Sequence, residues 1–154
     1  MGKRSAPQHY LNRELGVLDL LTGYGVRQRM PAEADRRRRL GKFYHRPPGG
    51  ESWADVALRL RSFLGDLRRA HPGGRALVVG HEAVVLLLRY LIEGLTEAEL
   101  MDVARSTTIA NCSLTSWRRN GTGELRLRDF NRVDHLRREG AELTREEGVD
   151  AEPV

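Results

Sequence analysis

The 154-residue sequence has a single cysteine, Cys112, so an internal disulfide and a thiolate-rich metal cluster are both excluded. It has no apolar stretch near the roughly 20 residues a membrane-spanning helix needs; the longest, Ala83 to Leu88, is closed off by Glu82 and Arg89. Nothing apolar follows the basic start Met1-Gly-Lys-Arg, so a secretory leader is not expected. Aromatic residues make up only 6% of the chain. A soluble, cytoplasmic protein without a membrane partner is the expectation. What is present suits one globular domain: 40% hydrophobic residues is enough for one core, and the length is too short for two.

The net charge of +5 and a pI near 10 favour anionic partners, whether phosphorylated metabolites, nucleic acid or an acidic protein surface. The densest run, Arg36-Arg37-Arg38-Arg39, lies among Glu33 and Asp35 and reads as a solvated helix face rather than a nucleic-acid footprint. Base stacking also requires aromatics among the charges, and only Phe43 and Tyr44 are near, so nucleic acid is the least favoured partner.

Four elements and a hairpin are legible. A helix is predicted from about Ser52 to Ala70, with Ser52 as N-cap and Asp55 completing an approximate capping box. Its apolar residues Trp53, Val56, Leu60, Phe63, Leu64 and Leu67 share one face, and His71-Pro72-Gly73-Gly74 ends it. The run Arg75 to Gly80 reads as a short strand buried on both faces, as in a parallel sheet. Ala83 to Glu93 then forms a nearly all-apolar helix closed by Gly94. Thr96 and Glu99 form a second capping box that opens a helix to about Arg105. Cys112–Trp117 and Glu124–Phe130 pair as a hairpin around Asn120-Gly121-Thr122-Gly123. Helix, buried strand, helix is the rhythm of an α/β domain of three layers (α/β/α) with a mostly parallel sheet. The expected organisation is an unstructured 1–10, a domain over 11–136 and a charged tail over 137–154.

His81 stands at the carboxyl end of the predicted strand, just before a helix, where open α/β sheets bind ligands and where free helix N–H groups suit an anion. It is either a ligand group or a satisfied histidine at an ordinary turn. No second histidine follows at zinc-motif spacing, and no metal or cofactor is expected.

The sequence Gly80-His81-Glu82-Ala83-Val84 after Leu77-Val78-Val79 resembles the second-histidine motif of the histidine phosphatases, the phosphoglycerate-mutase-like superfamily. Phe43-Tyr44-His45-Arg46-Pro47-Pro48-Gly49-Gly50-Glu51-Ser52 resembles that family's Gly-Glu-Ser segment ahead of a long helix. Leu11-Asn12-Arg13-Glu14-Leu15-Gly16 resembles its acidic stretch, so the likeness runs from about Leu11 to Leu136. It implies phosphomonoester hydrolysis or phosphoryl transfer through a phosphohistidine, on a small phosphorylated substrate. In that chemistry a histidine of an Arg-His-Gly motif attacks phosphorus, a second histidine and arginines hold the phosphoryl oxygens, and a carboxylate protonates the leaving oxygen. The resemblance makes His81 the second histidine.

Two departures follow. Arg-His-Gly occurs nowhere in the chain, and only ten residues precede Leu11. The expectation is therefore an N-terminally incomplete domain, inactive or nearly so alone, whose uncovered sheet favours self-association as a homo-oligomer, a rearranged or swapped sheet, or marginal stability. The family's carboxylate position falls on Asn12, with Glu14 two residues away as the substitute acid or merely a surface charge. Arg46 is a candidate for the substrate anion or an exposed loop arginine, and Glu51 a candidate lining residue. Asn111 is a candidate hydrogen-bonding residue or simple turn chemistry, and Cys112 reads as packing rather than as a nucleophile. A non-catalytic phospholigand-binding or protein-interaction domain is the alternative.

Overall fold

The computed structural model describes residues 12–138. In chain order these form a 3-10 turn at Gly16–Leu18, α1 (Gly23–Arg29), α2 (Pro31–Tyr44), α3 (Trp53–Ala70), α4 (Glu82–Glu93), α5 (Glu97–Ser106), β1 (Leu114–Arg119), β2 (Leu125–Arg132) and α6 (Asp134–Arg138). The proposed unstructured 1–10 and all but the first two residues of the proposed tail lie outside the described residues. Arg137 and Arg138 belong to α6, so helix continues past the expected boundary at Leu136.

Local chemistry sets the helix ends. Ser52 Oγ accepts from the Asp55 N–H at 3.1 Å while Asp55 Oδ2 accepts from the Ser52 N–H at 2.8 Å, the reciprocal capping box expected for α3. Thr96 and Glu99 do the same for α5. Gly94 closes α4 in the left-handed region (φ 70°), where a side chain would be strained. Pro31 opens α2 at its first turn, where the missing N–H is not needed. Gly41, at φ 75° and ψ 161°, kinks that helix near its end.

The core lies between α3 and α4. Trp53, Val56 and Leu60 of α3 face Val84, Leu86 and Leu87 of α4, with Leu100 of α5 and Phe43 of α2 closing the sides. Each large side chain taken out of water there contributes about 1.5–3 kcal/mol before entropy is counted. The hairpin rests on α4, where Arg89 stacks 4.3 Å from the Phe130 ring centroid and Trp117 Nε1 donates to Glu93 at 3.1 Å. Arg89 and Glu93 pair along the same helix. The hairpin turn is tied by Asn120 Oδ1, which accepts from the N–H groups of Thr122 and Glu124.

The sheet differs from expectation. Among the described residues the strands are the antiparallel pair β1–β2, beside a lone bridge residue at Ala110, and no parallel strand pair is among them. Residues 74–81 carry no regular secondary structure. Val78 packs against the core, but Leu77 is 85% and Val79 74% exposed. The physical reason is pairing. A strand buried on both faces must also satisfy its backbone groups on its edges, and no described segment lies alongside this one as a neighbour. The in–out alternation of Leu77, Val78 and Val79 is still that of a strand laid on a helical layer.

Candidate functional site

Two glycines let the acidic stretch press onto the loop that leads into α3. A Cβ on Gly16 would stand 2.2 Å from the Pro48 carbonyl oxygen, and one on Gly50 would stand 2.8 Å from both the Glu14 oxygen and the Leu15 carbonyl carbon. With backbones in contact, the Val17 N–H donates to the Pro48 oxygen at 3.0 Å and the Glu51 N–H to the Glu14 oxygen at 2.8 Å.

Glu51 organises this clamp. Its carboxylate receives Arg59 Nε at 2.7 Å and Nη2 at 2.8 Å in a forked pair, and the Glu14 N–H at 3.2 Å. Its carbonyl oxygen takes Arg13 Nε at 2.9 Å, and Arg59 Nη2 also reaches the Asn12 oxygen at 3.0 Å. Burial alone would raise the Glu51 carboxyl, but the Arg59 guanidinium and the Glu14 N–H outweigh it and hold the group below its ordinary range. Arg46 lies on the same loop, with Nε donating to Asp55 Oδ2 at 2.8 Å and Nη2 to Oδ1. That guanidinium, with Ser52 acting against a smaller burial effect, holds the Asp55 carboxyl far below the usual carboxylate range. Asp55 thus caps α3 and orients Arg46 together.

His45, next to Arg46, is buried, with Nε2 3.2 Å from Glu33 Oε2. Burial lowers its pKa more than the Glu33 contact raises it. His81 is exposed at the N-cap of α4; its side chain does not cap the helix, and its carbonyl oxygen accepts from the Val84 and Val85 N–H groups. Gly80 is required before it, because a Cβ there would come within 2.9 Å of Val84.

The structure therefore brings Glu14, Glu51 and Arg46 onto one clamp, while His81 and Asn111 stand on other elements. Glu14 is exposed and enters the clamp through its backbone. Glu51 and Arg46 spend their charges on Arg59 and Asp55. Asn111 is exposed in the turn before β1, next to Cys112 at φ 56°. That turn is held by Asn131, which accepts from the Ala110 N–H and donates to the Thr108 oxygen. The sequence reading passed over Arg59, Arg13 and the pairing role of Asp55. Only Arg59 left a signal: it follows Asp55 by four residues and shares its helix face. Among the described residues no group of three His, Cys, Asp or Glu side chains could hold a metal ion, and no helix is long and apolar enough to cross a membrane.

Comparison with known proteins gives the family. The model of the histidine phosphatase superfamily (branch 1) matches residues 11–132. A 6-phosphofructo-2-kinase/fructose-2,6-bisphosphatase of Caenorhabditis elegans is 34% identical over 92 residues, 58% of this chain and 19% of that protein. The solved structure of Mycobacterial hydrolase 1 superposes with a TM-score of 0.62 at 25% identity, covering 80% of this chain and 61% of that one. The chain thus spans only part of each relative's length.

Proposed function

Because the chain belongs to the histidine phosphatase superfamily, we propose that it supplies the second-histidine side of a phosphohistidine site acting on a small phosphorylated substrate, in the cytoplasm. The observation that carries this reading is the conjunction of the family match with Gly80-His81-Glu82 at the exposed start of α4. There the imidazole is not used as a cap, and the first-turn N–H groups of a helix favour an anion.

In this reading His81 donates to a phosphoryl oxygen and Arg46 swings from Asp55 to a second. Glu14, exposed beside the clamp, gives the leaving oxygen its proton in place of Asn12. Asn111 adds a hydrogen bond from the turn before β1. Glu51 acts through Arg59, holding the acidic stretch in place. The 154 residues contain no Arg-His-Gly, so the chain by itself binds the phosphoryl group but does not attack it. A segment bearing that motif completes the domain, and its strand pairs with residues 75–80, giving the mostly parallel three-layer sheet. Without it, the open edge at Leu77 and Val79 promotes self-association.

The test is turnover of p-nitrophenyl phosphate by the chain alone and by the chain fused to an Arg-His-Gly strand segment. The chain alone should match buffer and the fusion should turn over. His81→Ala in the fusion should lower kcat by about 10²–10⁴. Turnover by the unfused chain that His81→Ala abolishes would overturn the argument about the nucleophile. A second reading, phospholigand binding without catalysis, is favoured by Asn12 in the acid position; it predicts saturable phosphate-ester binding and no turnover by the fusion. The Arg36–Arg39 run supports neither reading nor a nucleic-acid site, since Arg36 and Arg38 pair with Glu33 and Asp35 on α2 itself.

A further inference from the structure

At the opposite end of α4 from His81, α3 and α4 enclose an open depression of about 300 Å³. Its floor is apolar, made by Leu64, Leu91 and Leu95 with the Tyr90 ring. Gly65 and Gly94 line it without side chains. Arg61 and Arg68 stand exposed on its rim, two helical turns apart, about 10 Å along the axis. Neither is ion-paired among the described residues, whereas the adjacent Arg69 pairs with Asp66. An apolar floor between two uncompensated guanidinium groups suits an acidic peptide with an apolar residue between its carboxylates.

The sequence contains such a peptide. Residues 139–154 hold six acidic side chains (Glu139, Glu142, Glu146, Glu147, Asp150 and Glu152) against Arg145 alone, a net charge of −5. With +5 for the whole chain, residues 1–138 therefore carry +10. The segment also carries apolar Leu143 and Val149 among its carboxylates. Sixteen residues reach at most about 50 Å, while a domain of this size has a radius of gyration near 14 Å, so the segment can reach the depression from Arg138.

We infer that residues 139–154 dock in the α3–α4 depression, with two carboxylates on Arg61 and Arg68 and an apolar side chain on the leucine floor. The docking is intramolecular and electrostatic, so salt weakens it.

The experiment uses the full chain carrying Cys112→Ser and Ala151→Cys, with a nitroxide on the new cysteine. At low salt the amides of Leu64, Gly65 and Leu91 should lose more than half their intensity through paramagnetic broadening. The loss should disappear at about 1 M salt, where the screening length is about 3 Å, and in Arg61→Glu with Arg68→Glu. Arg105→Glu, an exposed arginine on α5, should leave it unchanged. Both charge variants alter exposed side chains, and a dispersed amide spectrum verifies their fold. Intact intensity at those three amides, or broadening that survives the double reversal, overturns the inference. So does broadening seen only when labelled chains are mixed with separate isotope-enriched chains, which would make a second copy the occupant.

Discussion

Gly16→Ala is the most direct challenge to the clamp. The new methyl would stand 2.2 Å from the Pro48 oxygen and 2.6 Å from Gly49 C and Gly50 N, all backbone atoms that no rotamer change can move aside. The residue also sits at φ +56°, which costs a non-glycine residue about 1–2 kcal/mol. Adding about 1–3 kcal/mol for overpacking gives about 2–5 kcal/mol. Against this stand the hydrogen bonds that Asn12, Glu14 and Val17 make with Arg59, Glu51 and Pro48, and Arg13 with Glu51. At about 1 kcal/mol net each they hold the segment by about 5 kcal/mol, comparable to the strain. The variant should therefore open the clamp locally while α3 and α4 stay packed. Hydrogen exchange at the Glu51 N–H, which donates to the Glu14 oxygen, should quicken by about 30-fold to several thousand-fold, with little change at Leu86 or Leu87. Gly121→Ala, where a Cβ meets nothing within 4 Å, is the control and should change nothing. Exchange at Glu51 within twofold of wild type in Gly16→Ala would show that the close approach does not hold the segment.

Two further outcomes follow. Buried His45 should make the fold acid-sensitive near neutrality: burial lowers its pKa below the ordinary 6.5 despite Glu33, with Arg37 and Arg13 acting in the same direction as burial. The unfolded chain then takes up the proton more readily, so this contribution is complete above that value and is lost as the pH falls through it. The urea midpoint should drop between about pH 7.5 and 5.5, and drop less in His45→Gln; equal drops would exclude His45 as the cause. Replacing exposed Leu77 and Val79 together by threonine should reduce concentration-dependent association in sedimentation without lowering the melting temperature, because neither side chain is in the core; unchanged association would place the contact elsewhere.

What was legible in the sequence was what a few neighbouring residues decide. The boxes of Ser52 with Asp55 and of Thr96 with Glu99 are three-residue chemistry, and Gly94 and the Asn120 turn are equally local. The short α1 was hidden because Thr22 caps a segment holding Gly23 and Gly25, which are poor helix formers. The arginine run was read as a solvated helix face and lies on α2, but it carries no apolar period from which to set the helix ends. The strand reading of residues 75–80 failed for a different reason. Its composition is right, but a strand exists only with a neighbour, and that is a property of the whole fold. The site divides the same way. Gly80 and His81 are consecutive and could be singled out as candidates, whereas Glu51 finds Arg59 eight residues on, across the start of a helix, and its charge is committed.

Asp55 is held from two sides, by Ser52 through both its N–H and its hydroxyl and by the Arg46 fork. An oxyanion arriving at this loop would find Arg46 already engaged, so its binding would be an exchange of one carboxylate for another acceptor. Because Ser52 keeps its grip, the guanidinium can change partners without unwinding the first turn of α3. If an anion is recruited at this corner as proposed, it would be by a swivel about a fixed post, with a strength set by how much better the newcomer fits the fork than Asp55 does.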